Sequence, residues 1–318
     1  MDTIEFRLSA FRYNGNKIPT AVADIYVNGQ PLFEKFFMEN APIPVAELHE
    51  NLFAKYKDEA VQILGCGCGA TLCCPVFVTV KVGADTVTWK NFVLPHTHAT
   101  KSVGEFVFDK TQYFCEIDKL KRWNEIDSLT VEYGGVECGE ITLVVMKGAQ
   151  AYNFYFDELL DDPLPALVKF FNAVRNGDDF AEAELMRYDD RVDFKLSFKP
   201  WTGGQLRFVA ELVWQNVTLC EYLSRDELAD MLKRIFDALL TDKYFPYLYP
   251  CFWYICESDE PDCEITDAIE AEHPDWSIGD VLNYAVDSGQ LQLLPRYEEF
   301  LSTYRRMLTD YVVPEGWL

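Results

Sequence analysis

The sequence predicts an α+β fold, with mostly antiparallel sheets, flanking helices and a helical C-terminal region. Through the first two thirds of the chain, short segments that alternate polar and apolar residues are separated by Gly and Asn, which is typical of antiparallel hairpins. From Tyr244 onward the apolar residues recur at helical spacing instead. Hydrophobic residues make up 49% of the 318-residue chain and aromatic residues 15%, so a sizeable core and more than one domain are expected.

A β-rich α+β domain is expected over residues 1–147. Its first hairpin is indicated by alternating segments at residues 4–8 and 20–27, with an Asn-Gly turn at Asn14 between them. Asp109 is expected to cap a helix, because its side chain can accept a hydrogen bond from the first helical turn. The other expected elements are short helices at 32–37 and 45–56, a second hairpin at 76–82 and 86–89, a strand at 106–108, and strands at 129–133 and 140–146.

A second α+β domain is expected over residues 148–242, and residues 243–318 are expected to form a helical acidic extension packed on it. Gly177 is expected to end a helix that begins at residue 163, and Ser224 with Glu227 forms a capping box that opens another helix. The other expected elements are strands at 181–188, 191–198 and 205–213 and helices at 278–286 and 297–311.

The chain is strongly acidic, with 52 Asp and Glu against 28 Lys and Arg and a formal net charge of −24. This charge repels phosphate backbones and anionic lipid headgroups, so direct nucleic-acid binding and membrane binding are not expected. Residues 1–147 carry 14 basic and 19 acidic side chains, a net charge of −5, and the rest of the chain carries 14 and 33, a net charge of −19. The acidic second half predicts a basic protein partner, because complementary potentials accelerate encounter and select partners.

One acidic segment, residues 257–280, holds ten Asp and Glu and no Lys or Arg. Aromatic anchors ringed by one sign of charge are typical of a binding hot spot, while a charge run is also typical of a solvated helix face. The segment and its flanks therefore supply the predicted partner-binding residues. These are Trp253, Glu257, Asp259, Glu260, Asp262, Glu264, Asp267, Glu270, Glu272 and Trp276.

The sequence assigns no catalytic residue and favours a protein that is not an enzyme. No Ser stands in a G-x-S-x-G elbow, and the spacing Gly65-x-Gly67-x-Gly69 lacks the strand-loop-helix context of a nucleotide-binding loop. The function predicted first is a non-enzymatic acidic binding protein, such as an immunity-type inhibitor of a basic bacterial toxin. A zinc- or thiol-dependent protein and a DNA-mimic regulator are the two alternatives.

Four thiols lie within nine residues, at Cys66, Cys68, Cys73 and Cys74. Zinc takes four thiolate or imidazole ligands in a tetrahedron, so Cys66, Cys68, Cys73 and His98 are the predicted ligands of a possible zinc site. The spacings C-x-C and C-C are tighter than those of the usual zinc motifs. The sequence therefore favours the other interpretation, a glycine-rich turn that leads into a buried strand, with cysteine as a small hydrophobic residue and no cofactor.

The patterns NG-x-x-L, LGCxCG, CxP, VxWxxF and FxFDxxQY occur in this order between residues 28 and 113. Together they resemble a family of uncharacterised bacterial proteins over about residues 20–115. The resemblance implies a bacterial source and a shared first domain, and it brings no activity. Cys74 departs from the family pattern, which has a larger apolar residue or tryptophan there, and this favours three ligands over four.

The start of the chain and the cysteine content bear on the compartment. Residues 1–13 lack the basic and apolar regions of a secretory signal, and no apolar run approaches about 18 residues. Ten cysteines in a chain of this length are not the density of a disulfide scaffold. A cytoplasmic protein with reduced thiols is therefore expected, and the sequence leaves the oligomeric state open.

Overall fold

The computed structural model describes residues 1–14, 16, 18–36, 40–54, 60–69, 73–95, 103–137, 139–157, 162–187, 191–249, 261–274, 276–291 and 295–314. These residues confirm the α+β class, with antiparallel sheets and flanking helices. Their contacts divide the chain into two compact units, residues 1–127 with 148–152 and residues 128–147 with 153–318. Residues 128–147 thus group with the second unit, although they are expected in the first domain. None of the described helices is long and apolar enough to cross a membrane.

The first unit opens with the predicted hairpin. β1 (Ile4–Phe11) pairs with β2 (Thr20–Val27) in antiparallel register along their whole length. After β2, Asn28 and Gly29 both have positive φ, 55° and 75°. Two central residues with positive φ are typical of the tight type I′ turn, so the chain returns at once into β3 (Gln30–Pro31), which pairs with β2.

A second antiparallel sheet of the first unit carries the cysteine cluster. Its strands, in spatial order, are β4 (Asn40–Pro42), β5 (Ala60–Cys66), β6 (Val76–Val82), β7 (Thr86–Val93) and β8 (Phe106–Asp109). The predicted hairpin of β6 and β7 and the predicted strand β8 are confirmed. β5 is absent from the predictions because its residues 61–65 are all buried, so the sequence shows no alternation there.

Two helices pack in the first unit, α1 (Val45–Ala54) and α2 (Lys110–Asn124). At Leu32–Lys35 the predicted helix is a 3₁₀ turn. The predicted cap of α2 is confirmed, since the side chain of Asp109 accepts a hydrogen bond from the amide of Gln112 at 3.0 Å. The buried residues of α2 are Tyr113, Glu116, Ile117, Leu120 and Trp123.

The strands of the second unit form hairpins of neighbouring segments. They are β9 (Thr130–Glu137) and β10 (Glu140–Lys147), the later part of β11 (Gln150–Asp157), and a meander of β12 (Ala181–Arg187), β13 (Arg191–Pro200), β14 (Leu206–Leu212) and β15 (Val217–Leu223). The start of β11 lies in the first unit, where Gln150 pairs with Thr20. β12, β13 and β14 were predicted. β15 was not, because most residues of this edge strand are half-buried or exposed and show no alternating pattern.

The helices of the second unit follow their sequence signals. Within the described residues they are α3 (Pro163–Asn176), α4 (Arg225–Thr241), α5 (Phe245–Leu248), α6 (Pro261–Glu272), α7 (Ile278–Asp287) and α8 (Pro295–Asp310). Gly177 ends α3 in the left-handed conformation, with φ of 86°. The predicted capping box opens α4, because the Ser224 hydroxyl accepts from the Glu227 amide and the Glu227 carboxylate accepts from the Ser224 amide.

Candidate metal centre

The predicted metal ligands begin in a tight turn at the end of β5. Cys66 is the last residue of β5, and its carbonyl oxygen accepts a hydrogen bond from the amide of Gly69 at 2.9 Å. The amide of Cys68 donates to the Cys66 sulphur, with N and Sγ 3.5 Å apart. The amide of Asn14 donates to the carbonyl of Gly67 at 2.9 Å, which ties the turn to the segment after β1. Backbone hydrogen bonds therefore hold Cys66 and Cys68 in a defined geometry.

Two glycines make this turn possible. Gly69 has a φ of +79°, and a Cβ atom placed on it would lie 3.1 Å from the Cβ of Tyr13. A Cβ atom placed on Gly65 would lie 3.0 Å from Cγ2 of Ile43. Because side-chain carbons rarely approach so closely, the backbone of the turn can pack against Tyr13 and Ile43 only where no side chain intervenes.

The cysteine loop is the segment from Cys66 to Cys74, which joins β5 to β6. The register of these two strands brings its two ends together. Leu64 pairs with Val76, so two residues further along an antiparallel ladder Cys66 comes opposite Cys74. The buried side chain of Asn40 donates from one amide group to the carbonyl of Gly65 at 3.4 Å and to the carbonyl of Cys74 at 2.6 Å. Asn40 thus links the two ends of the loop.

The result is a cluster of three sulphur atoms, hereafter the thiol cluster, formed by Cys66, Cys68 and Cys73. All three Sγ atoms lie within 4.8 Å of one another. Cys66 is half-buried, and Cys68 and Cys73 are exposed. With a Zn–S bond of about 2.3 Å, two ligands of a tetrahedral zinc ion stand about 3.8 Å apart. Small side-chain rotations would therefore close the thiol cluster around an ion.

Cys66 and Cys73 of the thiol cluster have pKa shifts in opposite directions. The hydrogen bond from the Cys68 amide, followed by that from the Cys68 thiol, lowers the pKa of Cys66. Cys73 shows the opposite shift, because its thiol donates to the sulphurs of Cys66 and Cys68 and faces their negative charge, which together raise its pKa to about 12. A metal cation beside these sulphurs would stabilise their thiolate forms.

A cleft with a volume of about 270 Å³ lies beside the thiol cluster, with Cys66 and Cys68 in its wall. Glu47 of α1 and Tyr13 also line it. Tyr13 donates its hydroxyl proton to the carbonyl of Pro42 at 2.8 Å, and burial, followed by the charge of Glu47, raises the pKa of Tyr13. Burial also raises the pKa of Glu47. A partly desolvated carboxyl group and two residues of the thiol cluster thus line the same cleft.

The structure brings three of the four predicted metal ligands together, and His98 lies outside the described residues. Cys68 and Cys73 are exposed, so the expectation that cysteine acts as a small hydrophobic residue in this glycine-rich turn does not hold for these two residues. Cys74 is half-buried, and its thiol is close enough to Cys66 to contribute a hydrogen bond to that sulphur. The sequence did not reveal Asn40 or Glu47 as parts of the site.

The predicted partner-binding segment is described only in part. Trp253, Glu257, Asp259 and Glu260 lie outside the described residues, and Asp262 and Glu264 lie in α6. Among the side chains of α6 that the structure describes, the exposed acidic ones are Asp267, Glu270 and Glu272.

The aromatic member of this segment, Trp276, is half-buried and stacks on His273, with ring centroids 3.8 Å apart and planes 6° apart. Tyr284 contacts the same indole edge to face at 5.4 Å. One face of the Trp276 indole ring therefore packs on His273 within the chain. Binding of a basic protein by these residues stays a prediction.

Comparison with protein-family models, with curated proteins and with solved structures finds no match to the chain. The resemblance to a bacterial family over about residues 20–115 therefore stays a prediction. The geometry of the thiol cluster is the observation from which a function can be argued.

Proposed function

We propose that this protein binds a thiophilic metal ion, zinc in the first place, through Cys66, Cys68 and Cys73. The observation that supports this is the approach of three reduced sulphurs to within 4.8 Å of one another in a turn held by backbone hydrogen bonds. Thiolates select zinc and copper(I) over magnesium, calcium and manganese, which take oxygen ligands. Three protein ligands leave one position of a tetrahedral ion for a fourth group, the arrangement of zinc sites that exchange ligands.

The state of the thiols supports the same proposal. Cys66 has a lowered pKa because the amide and thiol of Cys68 donate hydrogen bonds to its sulphur, and Cys73 has a raised pKa because its thiol donates to Cys66 and Cys68. A divalent ion would replace those protons and remove the repulsion among the sulphurs. The exposure of Cys68 and Cys73 gives the ion a path from solvent.

Metal content after purification without chelator tests the proposal. We expect close to one zinc per chain in the natural protein, and loss of that zinc in Cys66→Ser and Cys73→Ser. Cys115→Ser is the matched control, because Cys115 is an exposed free thiol on α2 outside the thiol cluster. Equal metal content in Cys66→Ser and Cys115→Ser, or no bound metal after incubation with zinc and desalting, would show that the thiol cluster is not a metal site.

A second candidate function is the one predicted first from the sequence, binding of a basic protein in the manner of an immunity-type inhibitor. Its support is the group of exposed carboxylates on α6, at Asp267, Glu270 and Glu272. Co-purification from the native host at low salt tests it. A basic partner that is lost when these three residues are changed to Lys, and retained when the exposed Asp230 of α4 is changed to Lys, would support it. If the triple variant recovers the same proteins as the natural chain, this candidate fails.

A further inference from the structure

The cleft beside the thiol cluster carries an inference about what completes the metal site, and that inference rests on the proposed metal binding. Cys66 and Cys68 belong to the thiol cluster and also line the cleft. A molecule in the cleft therefore lies against two of the sulphurs that would hold the ion. Three cysteines leave a tetrahedral zinc ion one ligand short. The cleft is the route by which an external ligand can reach that position.

The size and charge of the cleft limit the kind of ligand. Its volume of about 270 Å³ is just below the range of drug-sized sites, so a small molecule is the appropriate occupant. Its described lining includes the carboxyl group of Glu47 and no Lys or Arg. The Tyr13 hydroxyl already donates its proton to Pro42, so towards the cleft its oxygen can act as an acceptor. Because the described lining offers hydrogen-bond acceptors and no Lys or Arg, it favours a ligand that carries an ammonium group.

Glu47 is suited to that ammonium group. It lies half-buried in the first turn of α1, and burial raises its pKa because the charged form is poorly solvated there. A cation placed beside it would compensate for this lost solvation and stabilise the charged form of the carboxyl group. The wall of the cleft thus contains the Glu47 carboxyl group, which can pair with a cation, and two residues of the thiol cluster, Cys66 and Cys68.

We infer that the cleft binds a small aminothiol, whose sulphur occupies the fourth position of the metal ion and whose ammonium group pairs with Glu47. On binding, the thiol gives its proton to solvent and the thiolate displaces the water molecule that otherwise fills this position, so that the metal keeps four ligands and no electron is transferred. The competing arrangement within the chain is Cys74 as the fourth ligand, since its thiol lies next to Cys66. That arrangement would give a closed structural site.

Cobalt(II) substitution tests the inference, because the near-ultraviolet absorption of cobalt thiolates increases with each thiolate that binds the ion. The protein loaded with cobalt is titrated with cysteamine, with 2-mercaptoethanol, which lacks the amine, and with ethanolamine, which lacks the thiol. We expect cysteamine to increase the absorption and to bind about tenfold more tightly than 2-mercaptoethanol, which is the range for one charge-assisted hydrogen bond. Ethanolamine should leave the spectrum unchanged.

Variants separate the two parts of the inference. Glu47→Gln should bring the affinity for cysteamine down to that for 2-mercaptoethanol. Glu105→Gln, which changes an exposed carboxyl of the first unit outside the cleft lining, is the matched control and should keep the tenfold difference. Equal affinities of the natural protein for the two thiols, or equal losses in both variants, would overturn the role of Glu47.

The metal part has its own readouts. A cobalt spectrum that no added thiol changes, and that loses one thiolate in Cys74→Ser, would overturn the inference in favour of the closed site and leave the proposed function intact. Absence of any cobalt thiolate absorption would overturn the proposed function itself. Circular dichroism of each variant before loading confirms that the comparison is made on folded protein.

Discussion

Replacing Gly69 by Ala tests the turn that positions the thiol cluster. The residue has a φ of +79°, and the new Cβ would lie 3.1 Å from the Cβ of Tyr13. A side chain in the left-handed region costs about 1 kcal/mol. The contact adds a second cost, because Tyr13 is buried, its hydroxyl is bound to Pro42 and its ring packs edge to face on Phe11 at 4.9 Å. Crowding of this kind costs about 1 kcal/mol or more, so the total loss is about 2 kcal/mol or more.

Gly104→Ala is the control for the conformational part of that loss. Gly104 also belongs to the first unit and has a φ of +84°, but nothing lies within 4 Å of a Cβ placed there. It should lose only about 1 kcal/mol. Urea unfolding measures the loss of stability in each variant. Faster hydrogen exchange in peptides from β5 and β6 would show that the loss in Gly69→Ala arises at these strands. We also expect weaker zinc binding in Gly69→Ala alone. Equal losses of stability in the two variants would refute the packing of the turn on Tyr13.

Three further predictions concern the same unit. Zinc binding should release at least one proton at neutral pH, because the pKa of Cys73 is about 12 before the ion binds. The affinity for zinc should therefore rise with pH. Calorimetry in buffers of different ionisation enthalpy measures the number of protons released. Asn40→Ala should lower the free energy of unfolding by about 1–3 kcal/mol and weaken zinc binding, because the carbonyls of Gly65 and Cys74 lose a hydrogen-bond donor. Asn51→Ala is the control and should cost less, because it removes one hydrogen bond, to the Gln62 carbonyl. Burial raises the pKa of Glu116, so the folded state binds the Glu116 proton more tightly than the unfolded state does. This proton binding contributes fully to the free energy of unfolding below the unfolded-state pKa, and the contribution is lost as pH rises through the folded-state pKa. Glu116→Gln should remove this part of the pH dependence in denaturation curves.

Local signals predicted much of the fold. Asp109 and Ser224 cap helices as expected, and Gly177 ends one, because each effect involves only the next few residues. The hairpins followed from alternation and turn residues in the same way. β5 and β15 escaped prediction for different reasons: β5 is buried on both faces, and most side chains of β15 are half-buried or exposed, so neither strand shows the alternating pattern.

The candidate site was predictable only where its residues are close in sequence. The spacing of Cys66, Cys68 and Cys73 made them candidates, but the expectation of cysteine as a small hydrophobic residue missed the exposure of Cys68 and Cys73, because exposure depends on how the turn packs. Asn40 enters the site through the pairing of β4 with β5, and Glu47 enters through the placement of α1. Neither residue type is distinctive in so acidic a chain, and no local pattern links them to the cysteines.

X-ray absorption at the zinc edge of the metal-loaded protein tests the central claim most directly, because it reports the atoms bound to the ion. The account predicts three sulphur neighbours at about 2.3 Å and one lighter neighbour at about 2.0 Å, with a sulphur fewer in Cys73→Ser. A first shell of nitrogen and oxygen alone, or one that is the same in Cys73→Ser, would contradict it.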